Sequence, residues 1–252
     1  MTRRKKKVLF ITIGVITLAV VGSIFALLLN IKAFKPQIEV AASSALGMDM
    51  RIRGRMGLDL FPGFGLTLKD VNLQKRGLDV VTIEKMRIGL KLIPLARFEI
   101  KIIQVGLVKP VFSIVRFKNG MFNFEKPAPT LWEKLLFVEK ISVSQGSLVY
   151  TDETCGEKIE VGDLDLSIRN LFPSGTESSE PLRAISFNGD AGCKILKIYN
   201  LTLTNLVMRA SGEKGMLDIN PVSMNLFGGT GNGSIHVDVT EPAPHYKGSL
   251  YS

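Results

Sequence analysis

The chain has 252 residues, 46% of them hydrophobic, with 32 Lys/Arg against 23 Asp/Glu and a formal net charge of +9. Seven of the basic residues and no acid fall within residues 1–35, which leaves 25 basic against 23 acidic side chains downstream. That near-balance is too small for the basic face that nucleic-acid binding needs, so nucleic acid is set aside as a partner.

The first element is the most informative. Arg3, Arg4, Lys5, Lys6 and Lys7 form a basic tail (1–7) that runs straight into an uncharged stretch, 8–31. At ~1.5 Å per residue, a helix of that length spans a hydrocarbon core of ~30 Å. Lys/Arg clusters stay on the cytoplasmic side, so the sequence predicts a single-pass anchor with its N-terminus inside and the bulk of the chain exported. A cleaved signal peptide is the competing reading. Its apolar region would be only ~7–15 residues, ending in a small-x-small site. Residues 26–32 (Ala-Leu-Leu-Leu-Asn-Ile-Lys) offer no such site.

A short helix follows, with Pro36 near its start and Gly47 as its stop. Ile38, Ala41, Ala42, Ala45 and Leu46 are expected on one side. From Asp49 the pattern turns to period 2. Residues 66–73 alternate with a phase slip at Asp70, placing Leu66 and Leu68 on one face. In 84–92, Met86, Ile88, Leu90 and Leu92 alternate with Lys85, Arg87, Gly89 and Lys91, which predicts a strand with one dry and one cationic face. Further strands are expected at 100–107, 111–117, 141–143, 147–151 and 161–168, the last presenting Leu164, Leu166 and Ile168. Asn119-Gly120 reads as a tight turn leading into 121–124. Later strands are expected at 185–187, 195–198, 201–208, 216–219, 222–227 and 234–239. The only other helix candidate is 130–136, after a Pro-rich turn at 127–129. A first β lobe (34–126) and a second (127–252) are the expected division, with 174–181 as a polar loop.

Strand, short turn, strand with little helix implies antiparallel pairing of neighbours. The fold class is therefore mainly β: an anchor, a short helix, then a long, twisted, mostly antiparallel sheet. Many strands carry an apolar face and few helices exist to cover it. Either a second sheet covers it, as in a sandwich, or the face is an open groove. Pattern alone favours the sandwich. Phase slips within runs suggest bulges.

Charge is uneven. Residues 51–140 carry 17 basic and 8 acidic side chains, and 141–252 carry 8 and 13. The basic half could face anionic headgroups, but ordinary outward-facing strand charges are the simpler reading.

The groups for catalysis are sparse. His236 falls in an expected strand and His245 in the terminal loop, neither with a partner pattern for acid–base or metal work. Residues 228–233 are glycine-rich but lack a Lys-Ser/Thr ending and lead into a strand, so they read as a turn. Asp163 and Asp165 share a face that reads as solvated. Cys155 and Cys193 could pair only if their Cα atoms approach within ~7 Å. The expectation is a protein with no enzymatic activity, no metal and no cofactor.

Several segments together resemble the AsmA family. They are Phe34-Lys35-Pro36-Gln37-Ile38, Leu60-Phe61-Pro62-Gly63-Phe64-Gly65-Leu66, Leu68-Lys69-Asp70-Val71-Asn72-Leu73 and Leu90-Lys91-Leu92-Ile93-Pro94-Leu95. To these are added Val108-Lys109-Pro110-Val111-Phe112-Ser113-Ile114, the Asn119-Gly120-Met121-Phe122-Asn123-Phe124 turn, and a glycine-rich block made of Leu217-Asp218-Ile219-Asn220-Pro221 and Leu226-Phe227-Gly228-Gly229-Thr230-Gly231-Asn232-Gly233. The chain is shorter than usual for that family. The resemblance implies a bacterial inner-membrane protein projecting into the periplasm and acting in outer-membrane biogenesis. It favours a groove that binds or transfers phospholipid, with Leu66, Leu68, Met86, Ile88, Leu90, Leu92, Leu164, Leu166 and Ile168 facing lipid. The alternative is a non-enzymatic scaffold with envelope protein partners that influences outer-membrane protein assembly.

Overall fold

The computed structural model describes residues 34–59, 63–91, 101–124, 138–173, 185–240 and 244–251. The anchor (8–31), Leu92, the helix expected at 130–136 and the loop at 174–181 lie outside these residues. Among the described residues no helix is long and apolar enough to cross a membrane.

Helix α1 (Lys35–Leu46) begins with proline in its first turn and ends at Gly47, whose φ of 67° lies in the left-handed region that glycine adopts without steric cost. It lies beside β1 (Asp49–Ile52) and serves as that strand's missing neighbour. Met50 N–H donates to Ser43 Oγ at 2.8 Å, and Ile52 N–H donates to Glu39 Oε1 at 2.6 Å. Two edge donors that would otherwise invite another strand are thus satisfied. Ile38, Ala42 and Leu46 face the sheet, whereas Ala41 is exposed, contrary to its expected place on the apolar side.

The strands then follow in order: β2 (Met56–Asp59), β3 (Gly65–Lys75), β4 (Leu78–Leu90), β5 (Ile102–Arg116), β6 (Lys140–Asp152), β7 (Glu157–Pro173), β8 (Ile185–Ile198), β9 (Leu201–Glu213), β10 (Met216–Leu226), β11 (Gly229–Asp238) and β12 (His245–Tyr251). All twelve belong to one open sheet ordered β1-β3-β4 and onward to β12, with β2 also on β3. Among the described residues no second sheet faces it, so the sandwich expectation fails. Every pairing is antiparallel except β5 with β6, which is parallel. This single parallel step carries the sheet without a break from the first expected lobe into the second.

Two pairs of short expected strands turn out to be single long ones. The 100–107 and 111–117 runs merge into β5 through Lys109 and Pro110, and the runs flanking Gln145-Gly146 merge into β6. The joints are mid-strand residues of positive φ, and the register shifts beside Gln145, Asp163 and Asn205 but runs one-to-one past Asp70 and Lys109. Asp70, Lys109, Gln145, Asp163 and Asn205 sit mid-strand with φ of 50°, 48°, 54°, 51° and 52°. They stand side by side. Glu84 of β4 meets Lys109 at 3.0 Å, Val108 pairs with Ser144, Gln145 N–H donates to Asp165 Oδ1 at 3.0 Å, and Lys194 meets Asp163 at 3.1 Å. A bulge bends its strand and shifts side-chain parity by one. The positive-φ residues stand along one line across neighbouring strands. They also keep the apolar face continuous, since Leu66 and Leu68 before Asp70 share a face with Val71 and Leu73 after it. Asn205→Val would force a β-branched residue into the left-handed region. The expected cost is about 1–2 kcal/mol in a denaturant melt, against little for Asn205→Gly.

The Asn119-Gly120 turn forms as expected, but the return segment makes only one isolated bridge, Arg116 with Phe122. The side chain of Asn123 replaces a strand instead. Its Oδ1 accepts from Val115 N–H at 2.9 Å, and its Nδ2 donates to Ser113 O at 2.7 Å.

Candidate functional site

Cross-strand register places apolar residues opposite one another on a single face from β3 to β11. Leu66 and Leu68 pair with Ile88 and Met86, which pair in turn with Val105 and Leu107. Val105 and Leu107 pair with Ile141 and Val143, and these with Ile168 and Leu166. Beyond the line of positive-φ residues, Leu148 and Tyr150 pair with Val161 and Ile159, and these with Leu196 and Ile198. The face continues through Leu201, Leu203, Leu206 and Met208 of β9, then Val222, Ile219 and Leu217 of β10, then Ile235 and Val237 of β11. The opposite face carries residues such as Lys85, Arg87, Ser142, Asp165, Arg169, Asp190 and Arg209.

The two ends of the apolar face differ. At the N-terminal end α1 covers it. Met50, Ile52, Leu68, Val71, Leu73 and Ile83 form a buried cluster, with Ile38, Ala42, Leu46, Leu66, Met86 and Ile88 packed against it. Leu68 is 0% exposed. From β5 onward no element lies on the face among the described residues, and substantial contacts run only between sheet neighbours. Leu164, Leu166 and Ile168 are half-buried there, between the flanking strands β6 and β8.

The expected lipid-facing residues therefore separate into two groups. Leu66, Leu68, Met86 and Ile88 belong to a core filled by protein. Leu90 is half-buried near the end of β4, and Leu92 lies outside the described residues. Leu164, Leu166 and Ile168 occupy the uncovered part. Leu148, Ile159, Leu206, Met208 and Ile219 share it and were not singled out from sequence.

At one border of this face, where β5 and β6 end, sits a polar cluster. Asp152 is buried, its side chain 6% exposed. Its Oδ1 accepts from the Thr154 hydroxyl at 2.5 Å and the Thr154 amide at 2.8 Å, and its Oδ2 accepts from Arg116 at 3.1 Å and Tyr150 at 3.2 Å. The Thr154 hydroxyl, then its amide, Arg116 and Tyr150 outweigh desolvation and hold the carboxyl down at about 2. Neighbouring Tyr199 hydrogen-bonds to Glu157, which pushes its phenol up to about 12. Because the Asp152 pKa is depressed on folding, its stabilisation is complete above the unfolded value of 3.8 and is lost as pH falls towards about 2. Melting temperature is expected to fall more steeply between pH 4 and pH 2 in the wild type than in Asp152→Asn.

Cys155 is exposed in the β6–β7 turn and Cys193 is buried in β8, both as free thiols. His236 Nδ1 lies 2.6 Å from Asp218 Oδ1 on the polar face. Among the described residues no three His, Cys, Asp or Glu side chains converge as a metal site. The glycine-rich segment, read from the sequence as a turn, contributes only Gly228 to the β10–β11 turn, and residues 229–233 are already part of β11.

A family model described as AsmA family matches residues 1–194, ending within β8. The glycine-rich block that resembles the family lies beyond the matched residues. No curated protein matches the chain.

Proposed function

This chain belongs to the AsmA family, a membership that supports a role in envelope or outer-membrane biogenesis, and from that premise we propose that it binds or transfers phospholipid along the uncovered apolar face of β5 to β11. In this reading residues 8–31 anchor the chain in a bacterial inner membrane, the sheet lies in the periplasm, and the protein acts without catalysis, metal or cofactor.

The single observation that carries the reading is the continuous apolar face with one protein-covered end and one open end. Exposed apolar surface on this scale marks an interaction site. Acyl chains suit it better than a polypeptide does. A docked strand or loop must satisfy its backbone groups, and the middle of this face presents side chains without free backbone partners. Hydrocarbon brings no such demand, and each methylene removed from water contributes about 0.8 kcal/mol. Strands spaced ~4.8 Å apart place β1 and β12 about 50 Å apart along the sheet. A single leaflet's chain, about half of the ~30 Å bilayer core, would lie across three or four strands.

Site-specific photo-crosslinking in the full chain tests this. A photoreactive residue at Met208, on the apolar face, is expected to capture phospholipid. One at Val207, which is 59% exposed on the polar face, is expected not to. Equal capture at both, or none at Met208, would overturn the reading. Protein adducts at Met208 would instead favour the scaffold alternative.

A further inference from the structure

The polar face of the first strands carries a feature that lipid on the opposite face does not account for. Lys69 of β3 stands directly opposite Lys85 of β4. On the other side of Lys69, its N–H donates to Arg55 O at 3.0 Å, which brings a third cation into the same cross-strand row. Arg51, opposite Asn72, and Arg53, whose N–H donates to Asp70 O at 2.8 Å, flank the row. Like charges directly opposite on a sheet destabilise it.

Three nearby cations do have acidic partners. Arg87 reaches Asp59 at 4.0 Å, Lys91 reaches Glu139 at 3.3 Å and Lys109 reaches Glu84 at 3.0 Å. Among the described residues no carboxylate lies within ion-pair distance of Arg51, Arg53, Arg55, Lys69 or Lys85. Asp70 and Glu84 are the adjacent acids in sequence; the side chain of Asp70 lies against Gly54 and that of Glu84 reaches Lys109. Arg53 acts on Asp79 only as a more distant charge.

The geometry points to this row, Arg55–Lys69–Lys85 with Arg51 and Arg53, as a docking surface for the anionic headgroups of a phospholipid bilayer. Three features select that partner. The cations are spread over a sheet face, so they match a surface of many anions better than one small ligand in a pocket. Among the described residues they have no acidic partners of their own. They lie on β1 to β4, the strands that follow the anchor segment in the chain, and α1 covers the opposite face of those strands. The first strands would then lie with their polar side towards the membrane and their apolar side away from the headgroups.

The test uses the full chain reconstituted in nanodiscs, with Cys155→Ser and a fluorophore on Ser144→Cys. Ser144 is exposed and continues the same row through Val108. Headgroup-level spin-labelled lipid reports proximity by quenching. Strong quenching is expected in discs containing phosphatidylglycerol and weak quenching in pure phosphatidylcholine. Salt near 1 M, where the screening length is about 3 Å, is expected to abolish the difference. Soluble glycerophosphoglycerol at millimolar concentration is expected to leave quenching intact, since it presents isolated anions and not a surface. The triple variant Arg55→Ser, Lys69→Ser, Lys85→Ser is expected to fall to the phosphatidylcholine level in both discs. Its melting temperature should be no lower than that of the wild type, because a repulsion is removed. Equal quenching in the two lipids, or quenching unchanged in a folded triple variant, would overturn the proposal.

Discussion

Leu166→Asp is expected to reduce phospholipid that co-purifies with the protein by at least about tenfold, the factor that 1.4 kcal/mol makes, while Val207→Asp leaves it near the wild-type amount. Leu166 stands between Val143 of β6 and Ala191 of β8 on the uncovered part of the apolar face. A carboxylate there must either be covered by hydrocarbon without a partner or keep water along the strand, and both disfavour acyl chains. Val207 undergoes the same apolar-to-acid change on the opposite face, between Gly192 and Ser223, where its side chain already meets solvent. The pair therefore separates the effect of position from the effect of adding a charge. Lipid phosphorus per mole of purified protein is the measurement. An equal loss from both variants would mean that the faces are not distinct. Retention in Leu166→Asp would mean that lipid does not lie on this face.

Leu68→Ala is expected to lower the unfolding free energy by about 2–5 kcal/mol, the range for truncating a fully buried leucine. Leu68 is the best-enclosed of the expected lipid-facing residues, paired with Met56 of β2 and Met86 of β4 and covered from the α1 side. Atoms removed there leave a cavity lined by Ile52, Val71 and Ile83, residues held by three different strands. Leu166→Ala, at a half-buried position with no described element packed above it, is expected to cost on the order of 1 kcal/mol, since little contact is lost. Denaturant melts of the two variants compare the covered and open ends of the same face. Similar losses would mean that the face from β5 onward is packed as tightly as the end under α1.

The contrast between these leucines shows where sequence reasoning succeeded and where it stopped. Alternation in 66–73 and 84–90 assigned both strands and their apolar face, because side-chain direction in a strand has period 2 whatever the rest of the fold does. The phase slip at Asp70 marked a residue of positive φ where side-chain parity shifts without a change of register. Pro36 and Gly47 bounded α1 because their backbone preferences are local. Lys109-Pro110 and Gln145-Gly146 misled, since turn-forming residues at a mid-strand position of positive φ carry the same local signature as residues at a true turn. The parallel step from β5 to β6 was also missed. Strand direction depends on where the chain returns after 117–139, and no local pattern records that.

The amino-acid sequence by itself determined the β character, the parity of most strands, the short helix and the family, because each depends on residues close together or on motifs kept in order. Only the tertiary structure decided that the described strands form one sheet, that Leu68 is sealed by protein while no described element lies over Leu166, and that Lys69 faces Lys85. Those facts depend on which strand lies beside which and on what lies above them. Alternation specifies the face on which a side chain stands, but it carries no information about the layer that covers it.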